Sequence, residues 1–181
     1  DVDALLKEFY PKFYGPAAKP METYWSAIYQ AWDDTILTEH EYFVAPAIYT
    51  PELLETCRKS LEEAEKLTAP LATKANPTRN EPLIVDRMKF TRLSFEITNN
   101  YMNMVRQAAT EINYAEAAKL GEKALAVRET MTDMNGVFTT YRRIGERGPA
   151  WFPGEVQQYA KLAELTDGAR GQLIAKLPLE W

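Results

Sequence analysis

The residues with the most versatile chemistry in this sequence lie together in the run Glu-His-Glu-Tyr-Phe, which begins at Glu39. His40 is the only histidine of the chain, so a site that needs two histidines is excluded within one copy. Di-iron helical bundles use a Glu-x-x-His spacing, whereas Leu37 stands three residues before His40. We therefore predict no metal site and no cofactor, and we interpret Glu39, His40 and Glu41 as polar residues of a solvated loop.

A nucleophilic site is the second chemistry that the residue types allow. Cys57 is the only cysteine, which excludes an internal disulfide, and it falls at helical spacing among apolar residues. Free cysteine at such a position usually behaves as a small buried apolar residue. Nothing in the sequence brings Cys57 close to His40, and neither a glycine-rich phosphate loop nor a Gly-x-Ser-x-Gly motif occurs. We predict no catalytic residue in this chain.

Aromatic residues in predicted loops are the third possibility. Flat rings in loops can stack on a sugar or on a neighbouring domain. The loop that begins near Thr35 and the segment around Trp151 both carry such rings. Trp25 and Trp32, in contrast, are interpreted as core residues. Our candidates for a substrate-facing surface are Glu39, His40, Glu41, Tyr42, Phe43 and Trp151.

The element expected to organise the fold is a long helix over residues 83–109. One apolar stripe at helical spacing starts at Ile84 and Met88, and a second includes Phe90 and Met104. A helix with two stripes needs apolar partners on more than one side. We therefore predict an all-α fold, a bundle or array of about six to eight helices around this central helix.

Other helices are predicted from the same periodicity. The first, over residues 2–13, places an apolar stripe that includes Val2, Leu5 and Phe9 on one face. Further helices are predicted over 16–33, 51–68 and 113–134, with weaker signals at 137–146 and 154–165. Segments that alternate like a strand are no longer than four residues, so we predict little or no sheet.

Length and composition restrict the class of protein further. The chain has 181 residues, a net charge of −5 and an ordinary globular composition. A nucleic-acid-binding domain normally has a basic face, so a nucleic-acid partner is not expected. The longest apolar runs are well short of the roughly 20 residues of a membrane-spanning helix, so we predict no membrane span.

One domain is the prior for a chain of this length. We predict a single helical domain over 1–177, with regular helices over 1–135 and a less regular helical tail over 136–177. Residues 178–181 read as the beginning of a following domain. Because the sequence starts without methionine, we expect it to be a piece of a longer polypeptide or a processed product.

Three strings carry a resemblance to a known family. They are FYPKFYGPAAKPMETYWSAIYQAW at Phe9–Trp32, HEYFVAPAIYTPELL from His40, and the Arg-Leu-x-Phe-Glu motif from Arg92. Over residues 1–135 the chain is similar to the helical region that follows the catalytic barrel in bacterial DUF4838 proteins. That family includes glycoside hydrolases that act as endo-β-N-acetylglucosaminidases on N-glycans.

The resemblance implies an accessory role for this chain. It implies a partner (β/α)₈ barrel that carries the catalytic acids, a β-sandwich domain that begins near Leu177, and a helical domain that supports the barrel and can line its glycan cleft. None of the barrel lies in this sequence, so no catalytic residue transfers to it. An exported or cell-surface bacterial parent is implied as well, although the sequence itself leaves the compartment open.

A helical-repeat module for protein interaction is the alternative. The run INYAEAAKLGEKALAVRE, from Ile112 to Glu129, resembles half of a tetratricopeptide unit. A second copy at the expected period of about 34 residues is not found, and such units need neighbours to bury their faces.

Overall fold

The computed structural model describes residues 1–36, 41–136 and 152–167. These residues are helical apart from short connections, and none of them lies in a β-strand. The predicted all-α class is therefore confirmed. The α-helices are α1 (Val2–Tyr14), α2 (Ala18–Asp33), α3 (Glu41–Ile48), α4 (Pro51–Ala72), α5 (Glu81–Ala109), α6 (Tyr114–Met134) and α7 (Phe152–Asp167), with a 3₁₀ turn at Gly15–Ala17.

Two compact units divide the chain, unit 1 over Asp1–Phe95 and unit 2 over Glu96–Trp181. The long helix α5 begins in unit 1 and ends in unit 2. Its extent matches the predicted helix over 83–109 within two residues, whereas its central position in the array stays a prediction. The single domain over 1–177 also stays a prediction. Residues 178–181 and the helix expected at 137–146 lie outside the described residues.

In unit 1 the core lies between α2 and α4. The spacing of Leu54, Cys57, Leu61 and Ala64 predicts the buried face of α4, and all four side chains are buried. The pair Thr50-Pro51 predicts an N-cap followed by the first helical residue. In the structure the Thr50 hydroxyl accepts a hydrogen bond from the backbone N–H of Leu53 at 3.2 Å, as that prediction requires. The start and the buried face of α4 can be predicted from local signals because both the cap and the apolar period belong to one helix.

A bidentate ion pair joins α5 to α4 within unit 1. Arg92 donates from Nε and Nη2 to the two carboxylate oxygens of Glu65, each at 2.6 Å. The Arg92 side chain is mostly shielded from solvent and the Glu65 side chain is half-exposed. Such paired geometry is directional as well as attractive, so it orients the Arg92 side chain towards Glu65 of α4.

The predicted loop after Thr35 is wrong over Glu41–Ile48, because these residues form the two-turn helix α3. Val44 and Ile48, one helical turn apart, are both buried, so helical geometry brings their two side chains to one face. Pro46 lies inside the helix, and its missing N–H removes one intrahelical hydrogen bond. The apolar pair thus outweighs the proline and the aromatic-rich composition that favoured a loop.

Among the described residues of unit 2, side chains from three helices form a small buried cluster. Met104 and Ala108 of α5 pack with Ala117 of α6 and Val156 of α7. Asn113 followed by Glu116 resembles a capping box and predicts the start of α6. In the structure the Asn113 side chain accepts a hydrogen bond from the backbone N–H of Glu116 at 3.1 Å, so the cap is present. The helix expected at 154–165 is confirmed as α7.

Candidate functional site

The segment predicted to face a substrate is only partly described. Glu39, His40 and Trp151 lie outside the described residues. Glu41, Tyr42 and Phe43 form the first turn of α3 rather than a loop, and their side chains are outside what the structure describes. Their role at a glycan surface therefore stays a prediction.

A row of aromatic rings on α2 is the first surface that the structure adds. Trp25, Tyr29 and Trp32 are spaced i, i+4 and i+7, which places them along one side of the helix. The Trp25 and Tyr29 rings stack with centroids 6.1 Å apart and planes 26° apart. Tyr29 is 54% exposed and Trp32 is 39% exposed. Trp32 was predicted to be a core residue, and this is wrong; the buried face of α2 carries Met21, Tyr24 and Ile28.

Two tyrosines bind the tryptophans at the two ends of this aromatic row. The indole N–H of Trp25 donates to the hydroxyl of Tyr14 at 3.0 Å, and Tyr14 is itself buried. The Trp32 indole points its N–H towards the Tyr49 hydroxyl at 3.5 Å, and the two rings meet edge to face at 6.4 Å. Since each indole N–H has a protein partner, the rings are positioned before any ligand arrives.

A groove between α1 and the first turns of α5 is the second surface. It measures about 470 Å³ and is lined by Leu5, Glu8, Phe9, Lys12, Phe13 and Arg87. The Phe9 and Phe13 rings stack in it at 4.7 Å. Lys12 and Glu8, one turn apart on α1, form an ion pair at its rim. This pairing lowers the pKa of the Glu8 carboxyl, so Glu8 stays ionised.

Arg87 is the charged group that the fold fixes in this groove. Its guanidinium carbon lies 4.2 Å from the centre of the Phe13 ring, a cation–π contact. One terminal nitrogen, Nη1, donates to the Phe13 carbonyl at 3.0 Å and approaches the Asn80 side-chain oxygen at 3.5 Å. Among the described residues no carboxylate is paired with this guanidinium. The arginine is thus oriented by the protein while part of its donor set is available to a ligand.

Cys57 is buried, as the sequence predicts, and burial raises the pKa of its thiol to about 11. The thiol of an unfolded cysteine has a pKa of about 8.5. The contribution of Cys57 to the free energy of unfolding is therefore fully present below that pH, and it is lost as pH rises through about 11. Burial of the sulfur on the core-facing side of α4 is the physical cause of this raised pKa. Cys57 therefore contributes to the packing of α4.

The thiol of Cys57 is expected to react with Ellman's reagent at about pH 8 at least roughly 100-fold more slowly in the folded protein than in guanidinium chloride. The physical reason is twofold: the sulfur is shielded from reagent, and little of it is thiolate at that pH. Stopped-flow absorbance would measure both rates, with C57S as the blank. Equal rates in the folded and denatured protein would contradict the buried, protonated thiol.

Within residues 1–36, 41–136 and 152–167, no three His, Cys, Asp or Glu side chains come together in a way that could hold a metal ion. No helix in that part of the chain is long and apolar enough to cross a membrane.

These features define the class of the chain: an all-α protein with an exposed aromatic row and an arginine-containing groove on unit 1. Comparisons with protein-family models, curated proteins and solved structures gave no match to this chain.

The sequence interpretation missed both surfaces. The aromatic row has a sequence signal in the helical spacing of Trp25, Tyr29 and Trp32, but the same periodicity assigns the two tryptophans to the core. The groove had one sequence signal, the apolar stripe of α1. Its arginine is 74 positions from the Phe13 carbonyl to which it donates, and no local pattern predicts such a pair.

Proposed function

We propose that this chain is a non-catalytic accessory helical domain of a carbohydrate-active enzyme, next to a catalytic barrel, and that it contributes a surface that contacts the glycan. The proposal unites the family resemblance of residues 1–135 with one structural observation, the exposed aromatic row of α2. Pyranose rings present a flat patch of C–H groups, and aromatic rings with a polar handle suit such amphipathic partners.

The dimensions of the row agree with a short oligosaccharide. Trp25 and Trp32 are seven residues apart, which corresponds to about 10 Å along a helix. This length is comparable with that of a disaccharide. Tyr29 lies between them with more than half of its surface exposed, and the hydroxyl of Tyr29 can bond a sugar hydroxyl. The chain then needs no catalytic group of its own, because the chemistry belongs to the barrel.

Removal of the Trp32 ring in W32A is expected to weaken binding of di-N-acetylchitobiose by about three- to tenfold, which corresponds to one lost aromatic stacking contact. Y29A is expected to act in the same direction. Isothermal titration calorimetry, supported by saturation-transfer NMR, would measure the affinities on the isolated chain. Mannitol serves as a control ligand, since it carries hydroxyls but has no ring face to stack.

Two control variants separate stacking from damage to the fold. W32F keeps a flat ring and is expected to retain most of the affinity. L67A removes an exposed apolar side chain of α4 outside the row and is expected to leave the affinity unchanged. The proposal fails if the chain does not bind chitobiose at about 10 mM, or if W32A and L67A bind it equally well.

A further inference from the structure

The apolar stripe of α1 is exposed to an extent unusual for an amphipathic helix. Val2 is 69%, Leu5 65% and Phe9 41% exposed, while the side chains that α1 buries are Tyr10 and Tyr14. The apolar face of a surface helix normally packs against the core. Here unit 1 instead uses the two tyrosines for its core, and the apolar stripe extends along the helix into the groove.

The groove adds charge to this stripe. Lys12 compensates Glu8, which leaves the Arg87 guanidinium as the unbalanced charge of the lining. Arg87 already has its cation–π contact with Phe13 and its bond to the Phe13 carbonyl, so its orientation is set. Its Nε and Nη2 make no hydrogen bond with the described residues. An oriented arginine beside apolar side chains favours a carboxylate that is attached to an apolar partner.

The shape of the stripe indicates what kind of partner fits. Val2, Leu5 and Phe9 form a ridge at i, i+3 and i+7, the pattern into which the side chains of a second helix interdigitate. The groove is open along its length, whereas a small-molecule site encloses most of its ligand. We propose that the α1–α5 groove docks an amphipathic helical segment of another domain or protein, whose apolar face covers Leu5 and Phe9 and whose carboxylate pairs with Arg87.

A second copy of this chain is a weaker candidate for the occupant. Helix α1 has 13 residues and is about 20 Å long, so two copies in contact through this helix alone bury little surface. Stable specific interfaces bury about 1,200–2,000 Å² in total. The positive charge of Arg87 also repels its own counterpart where two grooves meet. Charge complementarity therefore points to an acidic partner.

Synthetic helical peptides test the groove directly. The probes are fluorescein-labelled, end-capped peptides of about 15 residues with leucines at i, i+3, i+4 and i+7. One carries glutamates beside the leucine face, a second carries glutamines and a third carries lysines. Fluorescence anisotropy is expected to show that wild-type protein binds the glutamate peptide about tenfold more tightly than the glutamine peptide, and the lysine peptide most weakly.

Variants assign this preference to the groove. R87Q is expected to remove the roughly tenfold preference for glutamate, while R87K keeps part of it because the charge remains. K66Q makes the same change of charge on α4, at an exposed residue that does not line the groove, and is expected to bind like wild type. F9A is expected to weaken the binding of all three peptides. Circular dichroism melts of each variant verify that it is folded.

Three results with the peptides would overturn the proposal: no binding of the glutamate peptide, equal affinity for the glutamate and lysine peptides, or a preference that survives in R87Q. Light scattering over a range of protein concentrations provides the remaining test. A dimer that F9A dissociates would identify a second copy as the occupant and would also overturn the proposal. Because the peptides probe α1 and chitobiose probes α2, this outcome is independent of the proposed glycan contact.

Discussion

Alanine at Gly15 is expected to reduce the free energy of unfolding by about 3–5 kcal/mol, the largest effect of any substitution considered for unit 1. Gly15 ends α1 with φ 55° and ψ −122°, a combination that residues with a side chain rarely adopt. A Cβ atom there would also lie 2.6 Å from Cδ1 of Ile84. Backbone strain of about 1–3 kcal/mol and overpacking of a similar size therefore act together.

The variant I84V separates the two causes, because valine lacks the Cδ1 atom that the new methyl group would meet. I84V alone is expected to cost about 0.5–1.5 kcal/mol. In the double variant G15A/I84V the loss of unfolding free energy is expected to be about 1–2 kcal/mol smaller than the sum of the two single losses. The part that remains is the backbone strain. Urea denaturation followed by circular dichroism measures all three variants. Additive effects would contradict the steric contact, and a G15A effect below about 1 kcal/mol would contradict both causes.

Gly15 also illustrates what a sequence can and cannot predict. The Gly15-Pro16 pair predicts the end of the first helix, and α1 does end at Tyr14. That inference needs only local rules on helix termination. The contact with Ile84 depends on how α5 packs against the end of α1, and no pattern within either helix contains this information.

The start and the buried face of α4 were predicted correctly, and for a physical reason, although the helix ends at Ala72 and not at residue 68 as predicted. Its cap, its first proline and its apolar period all belong to contiguous residues, and one face alone is buried. The buried positions Leu54, Cys57 and Leu61 follow directly from a 3.6-residue period. Where one helix has a single apolar stripe and consistent capping, local preference and tertiary packing agree.

Helices α1 and α2 show why the remainder could not be predicted. Both carry more large apolar and aromatic side chains than one face can bury, so periodicity alone leaves several faces possible. In the structure Tyr10 and Tyr14 of α1 are buried, whereas Phe9 of α1 and Trp32 of α2 are exposed. Tyrosine suits this interior because its hydroxyl can be satisfied, as Tyr14 shows by accepting from Trp25. Hydropathy ranks phenylalanine above tyrosine for burial and so predicts the wrong face.

The candidate surfaces follow from the same excess of apolar residues. A stripe that the core does not use remains exposed, and both the aromatic row of α2 and the ridge of α1 arose in this way. Residue type and spacing therefore predicted which helices carry these rings, but tertiary packing decided which rings remain accessible. The site predicted around His40 rests on residue chemistry alone, and it stays a prediction because His40 lies outside the described residues.

Gly121 is the position in unit 2 where a substitution is expected to have the largest effect. It lies on the buried face of α6, and a Cβ atom there would lie 2.3 Å from Cγ2 of Val156 and 2.9 Å from the sulfur of Met104. Alanine is more favourable than glycine in a helix by about 1 kcal/mol, so this substitution would stabilise a helix at a position where the new methyl group meets no other atom. At Gly121 the overlap with α7 outweighs this gain, because Val156 is branched at Cβ, stiff and buried. G121A is expected to destabilise the protein by about 2 kcal/mol, and G121V by more.

Val156→Ala provides the decisive comparison, since it removes both γ-methyl groups, including the one nearest to the new Cβ. V156A alone is expected to be destabilising, because it leaves space in the cluster with Met104 and Ala117. In G121A/V156A the alanine methyl group occupies part of that space, so the double variant is expected to be more stable than V156A. Hydrogen exchange measured by mass spectrometry on α6 and α7 would localise the change to unit 2. If G121A is stabilising, or if the double variant is less stable than V156A, then Gly121 does not mark the place where α6 and α7 pack most closely.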